Sequence, residues 1–290
     1  MQTKQLGKTG ISLPAMGFGA MELRNMQEVD ALYLLGAVLD MGISFIDTSP
    51  DYNCSEEFIG KAISHRRNEF ILATKCGCDI WSGKGGHIFS RKQFAKNLDN
   101  SLKLLRTEHI DLLQIHAAMP HELGGPLDDA ISFLQEQKKA GKIGAFGISY
   151  RNGSAKEPLY PAGFCKQCFE GFKDYDCFDS MQTVYGGLTR DCENEIAAMA
   201  AKGTGIIARG ILNRYTQTQE QRLQHAALQE LCEPGEDVNG LLIRFVISNP
   251  NVTAGIVGSS SAVHMQENFA AAQRGALPDD IYAEMKKRLV

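Results

Sequence analysis

"VDALYLLGAVLDMG" at residues 29–42 runs directly into "ISFID" at 43–47. In the first stretch Val29, Leu32, Tyr33, Gly36 and Leu39 share one helical face at the i, i+3, i+4 spacing. Gly42 suits a left-handed helix C-cap, and a short apolar run of β character follows at once. The same order recurs. "AISFLQEQKKAG" ends at Gly141 and leads into "KIGAFGIS", and "EIAAMAAKG" ends at Gly203 and leads into "TGIIAR". Lys138, Lys139 and Lys202 stand where they complement the negative helix end.

The β-like runs "ISFID", "FILATK", "IDLLQIH", "IGAFGIS", "DSMQTVY", "TGIIAR" and "TAGIVG" are apolar on both faces. That pattern suits parallel strands covered by helices on either side. With "PAMGFG" near residue 14 they make about eight strands. Helical segments near 27–41, 55–65, 91–105, 126–140, 161–173, 190–202, 236–249 and 262–274 separate or follow them. Eight of each closes a (β/α)8 TIM barrel, with an open doubly wound sheet as the alternative. "KQLGKTGISLP" ahead of the first strand reads as an N-terminal β-hairpin closing the bottom of the barrel. The polar stretch at 209–235 reads as a long loop carrying a short helix over a site. No shift in composition divides the chain, so residues 1–290 are expected to form a single barrel domain.

In such a barrel, sites lie at the C-terminal ends of the strands. Asp47, Lys75, His116, Ser149 and Arg209 each end or follow an apolar run, and Gln182 lies within one. Tyr52 stands five residues beyond Asp47 in "FIDTSPDYN". Together Asp, Tyr, Lys and His handle protons. A tyrosine titrates near about 10, and a neighbouring ammonium is expected to lower that value. Asp47 would hold Lys75 charged, His116 would orient a substrate oxygen, and Tyr52 would give a proton to an oxygen gaining negative charge. Hydride arrival at a carbonyl carbon creates such an oxygen.

Composition narrows the classes further. A net charge of -4 and scattered basic residues give no nucleic-acid or acidic-membrane footprint. No signal-peptide core opens the chain and no apolar run reaches membrane-span length, so the reading is soluble and cytoplasmic. Of the 8 cysteines, "CKQC" at 165–168 is the close pair to test for metal. Cys177 and Cys192 do not complete a zinc spacing, and reduced thiols with no metal are expected. Lys84 and His87, in "DIWSGKGGH", read as loop residues that solvent covers.

The motifs resemble those of the aldo-keto reductase family over nearly the whole chain. "LPAMGFGAME", "GISFIDTSPDYNCSEEFIGKAI", "FILATKCG", "LRTEHIDLLQIHA", "GKIGAFGIS", "MQTVYGGL" and "GIVGSSSAVHMQENFAAA" carry the resemblance. It implies a barrel that reduces carbonyls, or oxidises alcohols, with a nicotinamide cofactor and no metal. The family's catalytic tetrad falls on Asp47, Tyr52, Lys75 and His116. Its cofactor residues fall on Gly19, Ser149, Gln182, Arg209, Gly210, Leu212, Gly258, Ser259, Ser260, Ser261, His264, Glu267 and Asn268. Met21, Trp81 and Ala117 are candidate substrate walls.

Four positions depart from the family pattern. Tyr150 replaces the asparagine usual after the serine, Arg209 stands where an aromatic residue often stacks on nicotinamide, and Gly258 and His264 replace the Lys and Arg that hold the NADP phosphate. NADP(H) is therefore the family default, with NAD(H) left open. The implied partner is a small-molecule carbonyl or alcohol, the implied assembly a monomer or weak homo-oligomer. A cofactor-binding regulatory subunit, like the family's channel β-subunits, and an unrelated metal-dependent barrel hydrolase are the other readings.

Overall fold

In the computed structural model, which describes residues 1–83, 85–118, 126–150, 164–213 and 217–289, the chain opens with a two-stranded antiparallel hairpin. Its strands are β1 (Thr3–Gln5) and β2 (Ser12–Pro14), paired Thr3 to Pro14 and Gln5 to Ser12. Eight strands then close a barrel: β3 (Met16–Gly19), β4 (Phe45–Asp47), β5 (Ile71–Cys76), β6 (Ile110–His116), β7 (Ile143–Ser149), β8 (Ser180–Val184), β9 (Gly205–Arg209) and β10 (Ala254–Val257). Neighbours in sequence are neighbours in the barrel, all pairs are parallel, and β10 closes onto β3.

The alternation of side chains across each strand builds two cores. Inward residues Phe45, Ala73, Leu112, Ala145, Ile207 and Ala254 fill the lower interior, and Leu6 and Leu13 of the hairpin plug it from below. Outward residues such as Ile46, Leu72, Leu113, Phe146, Met181 and Ile206 meet the surrounding helices. Those helices are α1 (Glu28–Asp40), α2 (Ser55–Ile63), α3 (Arg91–Leu104), α4 (Pro126–Lys139), α5 (Phe164–Phe172), α6 (Glu193–Ala201), α7 (Gln217–His225), α8 (Val238–Ser248), α9 (Ala262–Gln273) and α10 (Asp279–Arg288).

The glycines expected to end helices do so with positive φ: 89° at Gly42, 77° at Gly141 and 88° at Gly203. α7 is the short helix expected within the polar stretch 209–235. α10 was not anticipated. Met285 within it and Leu289 just after it are buried, and Arg190 donates to the Lys286 and Leu289 carbonyls at 3.0 and 3.1 Å. Its sequence, "DDIYAEMKKR", carries few large apolar residues, so periodicity gives little signal there. Among the described residues no helix is long and apolar enough to cross a membrane.

One buried carboxyl lies behind the rim. Glu56 on α2 is 1% exposed and accepts a 2.6 Å hydrogen bond from Thr74 Oγ1. Burial pushes its pKa up to about 7, against the opposing pull of the Thr74 hydroxyl. A carboxyl whose folded pKa exceeds its unfolded value binds its proton more tightly when folded. Its contribution is complete below about 4.5 and is lost as pH rises to about 7, on the order of 3 kcal/mol in all. Urea unfolding at pH 4.5 and 7.5 is expected to show wild type losing more stability between the two than Glu56→Gln does. Identical losses would remove the shifted proton from Glu56.

Candidate active site

The upper interior of the barrel turns from apolar to polar one alternation above its aliphatic layer. Asp47 lies two residues past Phe45 and Lys75 two past Ala73, so both point inward at the C-terminal rim. Lys75 Nζ donates to Asp47 Oδ1 at 2.7 Å and to the Thr48 carbonyl at 2.7 Å. The second Asp47 oxygen, Oδ2, accepts from Gln114 Nε2 at 3.0 Å and from Gln182 Nε2 at 2.9 Å. Ser149 Oγ donates to Gln182 Oε1 at 2.9 Å. Five strands thus deliver one connected polar layer, and every member is buried. Gln114 was not singled out from sequence. It stands two residues before His116 on the same face, which is the available signal.

Tyr52 lies above this layer in the loop between β4 and α2. The loop is fixed by Ser55 Oγ, which donates to the Ala20 carbonyl at 3.0 Å and meets Thr48 Oγ1 at 2.8 Å. Lys75 Nζ lies 5.1 Å from the centre of the Tyr52 ring, and the His116 ring stands edge-on to it at 6.2 Å between centres. The four expected catalytic residues are therefore brought together.

Burial would lower the Lys75 pKa, but the charge and hydrogen bond of Asp47, with Tyr52 and Asp51, outweigh it and hold the ammonium charged. The expectation for Tyr52 is corrected. Burial raises its pKa more than Lys75 lowers it, and the charges of Asp47 and Asp51 push the same way, so the phenol keeps its proton at neutral pH. Burial pulls His116 down, against the opposing pull of Asp51, and favours neutral imidazole. Its Nδ1 faces Asp51 Oδ2 at 3.3 Å and Ser49 Oγ at 3.3 Å. That leaves Nε2 as the nitrogen available to the cleft.

The cleft over Tyr52 has a volume of about 470 Å³. Of the residues singled out in the sequence, Gly19, Met21, Asp47, Tyr52, His116, Ala117, Arg209, Gly210, Leu212 and Gly258 line it, and Glu22, His87, Tyr150, Ile211, Asn213, Ile256 and Val257 join them. Trp81 is corrected: it is not among the lining residues and lies on the surface, with Lys96 Nζ 3.6 Å from its ring centre. Lys84 and the Cys165 side chain lie outside the described residues.

Arg209 reaches the rim from the end of β9, and its guanidinium donates to the Tyr150 carbonyl at 2.7 Å. The Tyr150 ring points the other way. It is 1% exposed, stacks on Phe172 at 5.8 Å, and donates its hydroxyl to Met181 sulfur at 3.0 Å.

The residues present fit a nicotinamide dinucleotide. Gly19 and Gly258 face each other so closely that a Cβ on Gly258 would come 2.7 Å from the Gly19 carbonyl, which leaves a bare backbone floor. Ser149 Oγ and Gln182 Oε1 keep lone pairs for a carboxamide N–H. Beyond Gly258, Ser259, Ser260 and Ser261 lead into the N-terminus of α9, a helix end suited to phosphate. Ser261 also caps that helix, its Oγ accepting from His264 N at 3.3 Å. His264 and Glu267 are exposed on the first turns of α9, while Asn268 is buried.

Comparison with known proteins adds four findings. The model of the Aldo/keto reductase family matches residues 15–289. L-galactose dehydrogenase of Arabidopsis thaliana is 27% identical, over 93% of this chain and 88% of that protein. The NADH-specific methylglyoxal reductase of Escherichia coli (strain K12) is 28% identical over 71% of this chain and 65% of its own length. Among solved structures, the aldo-keto reductase AKR11C1 from Bacillus halodurans, in its holo form, superposes with a TM-score of 0.82. It is 26% identical and covers 99% of this chain and 96% of its own.

Proposed function

The chain belongs to the Aldo/keto reductase family, and from that premise we propose that it reduces a small carbonyl compound, or oxidises the matching alcohol, with Tyr52 as general acid and base. The observation that carries the reading is the buried Lys75–Asp47 pair beneath the Tyr52 ring. A reduced nicotinamide, when bound, would supply the hydride. The protein's own part is proton delivery and orientation. His116 turns Nε2 to the substrate oxygen and fixes its position. Tyr52 holds a proton at Oη, within the field of a charged lysine. As negative charge gathers on the substrate oxygen, that proton transfers, and Lys75 stabilises the tyrosinate left behind. Asp47 acts at one remove, since its two oxygens anchor the lysine and both glutamines. In this reading residues 1–290 act as one barrel domain.

Ser149 and Gln182 would hold the carboxamide, and Arg209 would lie against the nicotinamide, where a guanidinium plane stacks as well as donates. The segment 258–268 contains no Lys or Arg, and Glu267 is exposed there. That segment offers a 2′-phosphate no Lys or Arg, so NAD(H) is favoured over the family default of NADP(H). The NADH-specific methylglyoxal reductase among the relatives supports that choice. On the substrate side Glu22, His87 and Asn213 give the cleft a polar wall, which favours a hydroxylated carbonyl over an apolar one.

Three measurements test this. Fluorescence titration should give NADH an affinity at least equal to that of NADPH; a clear preference for NADPH would overturn the cofactor assignment. Arg209→Ala should weaken cofactor binding by about 1–2 kcal/mol, the scale of a lost charged hydrogen bond or stacking contact, and unchanged affinity would show that Arg209 does not touch the ring. On a panel running from hydroxylated to apolar aldehydes and ketones, Tyr52→Phe should keep cofactor affinity and lose turnover by at least about 10²-fold. Full turnover in that variant would take Tyr52 out of the chemistry.

A further inference from the structure

Beside His116 lies a group of side chains that the proton chemistry does not need. Asp51 immediately precedes Tyr52, Cys78 lies just beyond β5, and His87 lines the cleft from the far side of a turn. One donor atom from each of Asp51, Cys78, His87 and His116 falls within 4.8 Å of all the others. Three edges are short: His116 Nδ1 to Asp51 Oδ2 is 3.3 Å, His116 Nδ1 to Cys78 Sγ is 3.4 Å, and His87 Nε2 to Asp51 Oδ2 is 3.9 Å. A tetrahedral ion with bonds of about 2.0–2.3 Å requires edges of about 3.3–3.8 Å. Two edges already meet that requirement, and the others need only small side-chain movements.

The arrangement is also held in place. Cys78 and His87 face each other across an isolated antiparallel bridge. Asp79 N donates to the Gly86 carbonyl at 3.0 Å and Ile88 N to the Gly77 carbonyl at 2.8 Å, so the turn between them is closed. The Cys78 carbonyl is fixed from α3 by Gln93 Nε2 at 2.6 Å and Asn97 Nδ2 at 3.0 Å. The rings of His87 and His116 stand perpendicular with centres 4.9 Å apart, which turns them toward a common point without stacking.

We propose that Asp51, Cys78, His87 and His116 form a site for one divalent transition-metal ion, zinc by its donor set. One thiolate, two imidazoles and one carboxylate are borderline donors in a four-coordinate set. Magnesium and calcium call for six or more oxygens, which the site does not offer. When the ion binds, the Cys78 thiol proton leaves to solvent, and Asp51 exchanges its contact with His116 for the metal. His116 binds through Nδ1, so its ring proton shifts to Nε2 while the ring still faces the cleft. The ion therefore occupies the back of His116 and leaves the Tyr52 side open. This site does not depend on the hydride-transfer reading, because metal binding is measured directly.

Metal-stripped full-length protein, without cofactor, is titrated with zinc chloride by calorimetry and with cobalt(II) by absorbance. The expected result is one equivalent of zinc with a dissociation constant of about 1 μM or below. Cobalt should show tetrahedral d–d bands and a thiolate-to-cobalt charge-transfer band. Cys78→Ser should abolish the charge-transfer band, and His87→Gln should weaken zinc binding at least about tenfold. Cys177→Ser, a thiol in another part of the fold, should change neither. Circular dichroism checks folding, and His87→Gln carries the test alone if Cys78→Ser does not fold. The absence of stoichiometric binding would overturn the proposal, as would a titration that folded ligand variants leave unaltered.

Discussion

A lysine with no exposed surface sits in the mouth of a barrel, and the rest of the rim is arranged so that it can stay charged. Taking an ammonium and a carboxylate out of water costs several kcal/mol each, and attraction between the two does not by itself repay that. Lys75 is satisfied by Asp47 and by the Thr48 carbonyl, while Gln114 and Gln182 satisfy the other carboxylate oxygen. Breaking such a pair from one side leaves a buried charge without compensation, a loss of about 3–5 kcal/mol. Strands β4, β5, β6 and β8 are thus tied to one another by side chains as well as by backbone ladders. The polar layer is a structural element before it is a chemical one.

The same layer explains the state of Tyr52. A phenol beside an ammonium invites the idea of a lowered pKa, but the ammonium is already neutralised by Asp47, and Asp51 adds a second negative charge nearby. What remains is burial, which favours the neutral phenol. In the proposed reaction a protonated tyrosine is the form that gives a proton away, and the lysine's field would matter later, when tyrosinate forms. Desolvation sets the resting state and electrostatics the cost of leaving it.

Much of this was legible in the sequence for a definite reason. An inward strand position recurs every two residues, so "ISFID" and "FILATK" announce Asp47 and Lys75 as the next inward groups above Phe45 and Ala73. The glycine caps are as open, but the face of α1 is not: Val29 and Tyr33, read with Leu39 as one face, are exposed, and Ala31, Leu34, Leu35, Val38 and Leu39 are the buried ones. Legibility ends where loops decide. Nothing in spacing tells that Asp51 and His87, 36 positions apart in the numbering, both reach the back of His116, or that Trp81 lies outside the cleft beneath Lys96. The close pair "CKQC" carries a metal-like spacing in sequence, whereas the four-donor group among the described residues uses Cys78, whose partners come from three other segments. α10 escaped because its burial rests on Met285 and Leu289 and on carbonyls met by Arg190, not on an apolar stripe.

Two departures from the family pattern turn out to be one rearrangement. Tyr150 cannot do an asparagine's work at the cleft, because its ring is committed to the core against Phe169, Phe172 and Met181. Its carbonyl is what remains at the rim, and that carbonyl holds the Arg209 guanidinium. A fixed guanidinium provides a flat cationic surface and further N–H donors where an aromatic ring and an amide are the common pair. Neither substitution is intelligible alone: with a small residue at 150 the rings of α5 lose their partner, and without the 150 carbonyl the arginine loses its anchor. The polar rim of this barrel is thus repacked from the core outward, so the position of the Arg209 guanidinium at the cleft is set by the aromatic packing behind it.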